Sequence, residues 1–145
     1  MGPLNIEPTE FTPKINFDPE SSTFEISGFS RPENVIGFYR PILKWLEEYN
    51  EKVLSQNITF EKSLLTINLK MTYFNSASSK FLLDILLEFM KFHSKGNKVE
   101  INWYYEDGDD EILESGEEMA DMLGYTFNLI QIGRASCRER VFQRV

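Results

Sequence analysis

Cysteine, histidine and basic side chains are scarce in this 145-residue chain, and each scarcity removes a class of function. The one cysteine is Cys137 and the one histidine is His93, so thiol catalysis, a disulfide framework and Cys- or His-rich zinc sites have no material to build from. Lys and Arg number 15 against 23 Asp and Glu, a formal charge of −8. So acidic a body repels phosphate backbones and anionic lipid, which argues against nucleic-acid and membrane-surface partners. The aromatic residues are not interleaved with Arg or Lys as single-strand binders require. No apolar run approaches the ~18 residues of a membrane span, and the first residues lack the basic-then-apolar pattern of a secretory signal. A cytoplasmic protein is expected. With 41% apolar residues, the chain has enough for one packed domain without help from metal or disulfide.

The last fourteen residues break from this pattern. Ile132-Gly-Arg-Ala-Ser-Cys-Arg-Glu-Arg-Val141 looks like a translated sequencing adapter, and the tail through Val145 contains four arginines and the lone cysteine. Residues 132–145 are therefore set aside as a non-native read-through tail. Residues 1–131 read as a single domain with 11 basic and 22 acidic side chains, a charge of −11.

Periodicity gives the elements. Ile15 and Phe17, then Phe24 and Ile26, alternate around Pro19–Ser22 as a pair of short strands. Ser30-Arg-Pro-Glu33 fits a capping box with Ser30 as N-cap. The helix that follows has Val35, Phe38, Ile42, Trp45, Leu46 and Tyr49 on one stripe, and Pro41 should kink or split it. Leu65, Ile67, Leu69, Met71 and Tyr73 alternate with polar residues in a half-buried strand, as do Val99, Ile101, Trp103 and Tyr105. Between them a long helix over about 76–94 buries Phe81, Leu82, Ile85, Leu86, Phe89 and Met90, a stripe that Leu83 and Leu87 widen. A third helix spans 110–123, and Tyr125, Phe127 and Leu129 form a last strand. The order β-β-α-β-α-β-α-β predicts a two-layer α/β fold, a mixed sheet with helices packed on one face.

Chemistry-bearing motifs are few. Phosphate-binding and nucleophile-elbow glycine motifs do not occur, and no carboxylate pair is marked out by spacing. Asp107, Asp109, Glu111 and Glu118 fall at calcium-loop positions, but Ile112 stands where the sharp-turn glycine belongs. An acidic turn leading into a helix N-terminus explains them better. Neither an enzyme, a cofactor nor a metal is expected. One local feature remains, Tyr73-Phe-Asn-Ser-Ala-Ser-Ser-Lys80, where the half-buried strand turns into the long helix. Ser76 sits at the N-cap position, with Ser78 and Ser79 behind it. It is either a plain cap or a regulated hydroxyl, since a phosphate there would meet free N–H groups and the helix dipole, with Lys80 one turn on.

Thr9-x-x-Thr12-Pro-Lys-Ile15, Gly28-Phe-Ser-Arg-Pro-Glu-Asn34, Phe38-Tyr-x-Pro41, Trp45-Leu46, Tyr73-Phe-Asn-Ser-x-Ser-Ser-Lys80, Trp103-Tyr-Tyr-Glu106 and Gly116-Glu117 occur in this order. Together they resemble the SiaC family of bacterial regulatory phosphoproteins, over nearly all of residues 5–130. The resemblance implies a fold similar to the STAS type of anti-sigma-factor antagonists, and a role in biofilm control without catalysis. It implies a serine/threonine kinase of the anti-sigma type, a PP2C-type phosphatase, and an effector such as a diguanylate cyclase bound by the dephosphorylated form. The family hydroxyl falls on Ser76, where threonine is more usual, with Ser78 and Ser79 as lesser candidates. The partner-binding residues it implies are Tyr73, Phe74, Asn75, Ser76, Ser79 and Lys80. The alternative is a constitutive interaction or ligand-sensing module in which Ser76 only caps a helix.

Overall fold

The computed structural model describes residues 1–54 and 64–133; of the expected tail 132–145, Ile132 ends the last strand and residues 134–145 lie outside the described residues. The elements run β1 (Leu4–Ile6), β2 (Lys14–Asp18), β3 (Thr23–Ser30), α1 (Val35–Tyr49), β4 (Leu64–Phe74), α2 (Ser76–Ser94), β5 (Lys98–Glu106), α3 (Asp110–Leu123) and β6 (Asn128–Ile132). They form one six-stranded sheet in sequential order, antiparallel across β1–β2–β3 and parallel from β3 to β6. The mixed α/β architecture read from periodicity is the one observed, with one strand more than expected. At three residues, β1 is too short to show a period, and it forms by pairing Leu4, Asn5 and Ile6 with Phe17, Asn16 and Ile15.

Alternation assigns the two faces. Phe17, Phe24, Ile67 and Ile101 lie in one cross-strand row, and Ile15, Ile26, Leu69 and Trp103 in the next, all buried. The helices cover these rows. Phe24 meets Trp45 and Tyr49 of α1 and Phe89 of α2 edge-on, and the Trp103 indole donates to the Ile112 carbonyl of α3 at 2.8 Å. Removing so many large side chains from water is the main stabilising term, at about 25 cal/mol per Å² of apolar surface. The opposite face is polar. Asn16, Glu25, Asn68, Asn102 and Asn128 stand side by side across it, and Asn128 donates to Asn102, which donates to Asn68, both at 2.8 Å.

Several local expectations are corrected. Ser30 does not cap α1; it is the last residue of β3, paired with Phe74, and the cap is Asn34, whose side chain accepts the Gly37 amide at 3.0 Å. Sheet pairing has outcompeted the local capping pattern. Pro41 does not split α1, which is assigned as one helix of 15 residues. Its buried stripe is Tyr39, Ile42, Leu46 and Tyr49, rotated from the expected one so that Tyr39 replaces Phe38 at the centre. Leu87 does not widen the α2 stripe, being 44% exposed. Tyr125 and Phe127 precede β6, because the last strand begins where Asn128 pairs with Asn102.

Candidate functional site

The parallel strands end at the same edge of the sheet, and there β3, β4 and β5 each lead into a helix. Between β4 and α2 that turn is a single residue, Asn75. Asn75, not Ser76, is the N-cap: its side-chain oxygen accepts the Ser78 amide at 2.9 Å, and its carbonyl accepts the Ser79 amide at 2.9 Å. Both residues can cap, but the extended backbone at Asn75 (φ −85°, ψ 178°) puts that residue at the boundary. Ser76 is thereby the first helical residue. It is exposed, and its hydroxyl has no hydrogen-bond partner among the described residues.

The other two serines differ from it sharply. Ser78 is fully buried, and its hydroxyl donates to the Ser30 carbonyl at 3.2 Å. Ser30 Oγ donates to Ser78 Oγ at 2.8 Å and lies 2.6 Å from the Tyr39 hydroxyl, itself fully buried. Each hydroxyl carries one proton, so the direction is fixed: Tyr39 donates to Ser30, Ser30 to Ser78, and Ser78 back to the Ser30 carbonyl. Burial raises the Tyr39 pKa above the usual phenol value, the Ser30 and Ser78 hydroxyls lowering it less, so the phenol stays protonated as that chain requires. Ser79 is half-buried. Local pattern gave no sign of this network, since Ser30 and Ser78 are 48 residues apart.

Around Ser76 the expected partner-binding residues are spread over more than one surface. Lys80 is exposed one turn along α2. Tyr73 is 43% exposed and faces away from the helices, which strict alternation after Met71 would not allow. The cause is a register step: Gly28 pairs with Met71 but Phe29 with Tyr73, so Thr72 is an extra residue in β4. Gly28, with φ +113°, supplies the backbone conformation that other residues rarely adopt at such an irregularity. Tyr73 then stacks on Phe29, with centroids 5.0 Å apart, while Phe74 turns inward and meets Trp103 edge-on at 6.0 Å.

No acidic residue occupies the first turn of α2. Beside it, between the end of β4 and α3, lies a groove of about 330 Å³ lined by Tyr73 and Phe74 on one side and by Asp109, Glu111, Glu114 and Glu118 on the other. Asp109 is the α3 N-cap, accepting the Ile112 amide at 3.1 Å, which gives these carboxylates the structural role expected of an acidic helix start. Among the described residues no group of three or more His, Cys, Asp or Glu is placed to hold a metal, and no helix is long and apolar enough to cross a membrane.

Comparison with known proteins agrees along nearly the whole length. The family model described as SiaC family regulatory phosphoprotein matches residues 6–132. An uncharacterised protein of Pseudomonas aeruginosa strain UCBPP-PA14 is 26% identical over 127 residues, which is 88% of this chain and 94% of that protein. The crystal structure of apo-SiaC from Pseudomonas aeruginosa superposes with a TM-score of 0.74 at 25% identity, covering 90% of this chain and 99% of the other. A chain of the crystal structure of the diguanylate cyclase SiaD in complex with its activator SiaC, from the same organism, gives a TM-score of 0.75 at 25% identity over 89% and 99% of the two chains.

Proposed function

The chain belongs to the SiaC family of regulatory phosphoproteins, a regulator rather than an enzyme, and from that premise we propose that it is a cytoplasmic partner-switch adaptor controlled by phosphorylation of Ser76. In this reading a serine/threonine kinase of the anti-sigma type adds the phosphate, a PP2C-type phosphatase removes it, and the bare form binds an effector. The SiaC of Pseudomonas aeruginosa activates the diguanylate cyclase SiaD, so a diguanylate cyclase is the effector class to test first.

One observation carries the choice of Ser76. It is the exposed serine of the three, its hydroxyl has no structural task among the described residues, and it stands at a helix start that no carboxylate occupies. A phosphate there would meet the positive end of the dipole, worth ~0.3–1 kcal/mol at an exposed site, and Lys80 adds a modest ion pair. It would leave the fold intact while adding about −1.5 to −2 charges to the surface. Burial removes Ser78 from the candidates and makes Ser79 a poorer one. In the alternative module Ser76 is only a helix cap, a role that Asn75 fills instead.

Phosphosite mapping by tandem mass spectrometry on protein from its own host tests this. A phosphate on Ser76 is expected. An unmodified Ser76 under every growth condition sinks the switch. A pull-down adds the second half: Ser76→Ala should retain the effector and Ser76→Asp should lose it, and equal capture by both counts against a switched interface.

A further inference from the structure

We propose that the buried hydroxyls of Tyr39, Ser30 and Ser78 act together as a latch that fixes the first turn of α2 and so sets how Ser76 is presented; Ser78 and Tyr39 are positioning residues, not acceptors of phosphate. As a statement about access to Ser76, the proposal rests on the function proposed above. As a statement about the rigidity of the turn, it stands alone.

The geometry is specific. Four hydrogen bonds converge on Ser30 from the residues that surround the switch: the Tyr39 hydroxyl donates to its Oγ, that Oγ donates to Ser78, and its carbonyl accepts from both the Ser78 hydroxyl and the Asn75 amide at 3.2 Å. One residue at the end of β3 therefore holds the cap of α2, the third residue of α2, and the second turn of α1. Tyr39 also stacks on Phe81 of α2, 5.4 Å apart and 7° from parallel, so the ring packs on the helix just beyond the turn that its hydroxyl helps secure. Ser76 lies between Asn75 and Ser78, both tied to Ser30, and its own side chain is tied to nothing among the described residues.

A purely hydrophobic core would serve packing as well. Three buried hydroxyls are costly unless each finds a partner, and here each does; among the described residues no buried side-chain nitrogen or oxygen lacks one. Such an arrangement is satisfied in one geometry alone, which makes it suited to holding a backbone turn in a fixed place. The first turn of a helix is otherwise where fraying begins.

Amide hydrogen exchange on the full chain tests the latch without kinase or effector. In Ser78→Ala, the hydrogen-bonded amides of Asn75, Ser78 and Ser79 should exchange roughly tenfold faster, the effect of losing about one buried hydrogen bond. The capped Ile112 amide at the start of α3, which these hydroxyls do not touch, should keep its wild-type rate. Tyr39→Phe, which removes one oxygen and leaves the ring, should give a smaller acceleration at the same amides and serves if Ser78→Ala fails to fold. Unchanged rates at Asn75, Ser78 and Ser79, or an equal acceleration at Ile112, would overturn the latch. Site mapping from the host adds the functional readout: Ser78→Ala should lower Ser76 occupancy or shift phosphate to Ser79. Unchanged occupancy beside faster exchange would overturn the link to presentation, whereas a wild-type chain without phosphate on Ser76 would sink the switch and leave the exchange result to judge the latch.

Discussion

At the start of α2, Asn75 accepts the Ser78 amide at 2.9 Å; at the start of α3, Asp109 accepts the Ile112 amide at 3.1 Å. Both turns follow parallel strands and open at the same edge of the sheet. Capping chemistry is shared, and everything around it differs. Asp110 and Glu111 fill the first turn of α3 with negative charge, while α2 begins Ser-Ala-Ser-Ser with none. α3 is anchored by packing, with the Trp103 indole bonded to the Ile112 carbonyl, whereas α2 is anchored through hydroxyls on Ser30. One start has its dipole answered from within; the other leaves room for a charge to arrive. A helix N-terminus is common to both, so being one does not mark a switch. What sets the start of α2 apart is a first turn without carboxylates after a single-residue connection.

The contrast can be broken hardest at α3. Trp103→Ala should cost ~3–5 kcal/mol in a denaturant melt, by removing a buried indole together with its hydrogen bond. Gly116→Ala should cost about 1–3 kcal/mol, because a Cβ there would lie 2.5 Å from Trp103 Cδ1, on the rigid ring rather than on a movable chain end. Asn75→Ala should lower stability by ~0.5–2 kcal/mol while Ser76→Ala stays within about 0.5 kcal/mol of wild type, a pair that locates the cap. Swapping the charge pattern sharpens the comparison: Ala77→Glu should stabilise by ~0.3–1 kcal/mol, and Glu111→Gln should destabilise by a similar amount. Both effects should shrink in high salt. Least visible near neutrality is the phenol of Tyr39. Its folded pKa is raised, so its contribution is complete below the ordinary value of about 10 and is lost as pH climbs beyond it. Part of the alkaline loss of stability should therefore disappear in Tyr39→Phe, and equal alkaline curves would refute that assignment.

Sequence periodicity revealed the layers because alternation in Leu65–Met71 and Val99–Trp103, and the stripe at Leu82, Ile85, Leu86 and Phe89, reflect burial directly. It failed where a distant partner outbid a local pattern. Ser30 with Glu33 matches a capping box, yet Ser30 is spoken for by Phe74, Tyr39 and Ser78. Tyr73 continued a clean alternation until the register step at Gly28 turned it outward. Near Ser76 the turn itself was legible and the boundary was off by one residue, because Asn and Ser are equally good caps and only the backbone angles decide between them. The hydroxyl network was invisible for the same reason: its members share space, not sequence.

The single-residue connection at Asn75 has a consequence for timing. An eleven-residue strand paired on both sides and a nineteen-residue helix meet there without slack. A group added at Ser76 has no hinge to drive, so its message stays on the surface as a local change of charge and shape. No slow rearrangement then stands between modification and response. The delay is the encounter itself, and association rates of about 10⁵–10⁷ M⁻¹s⁻¹, with the concentration of the partner, would set how quickly such a signal is heard.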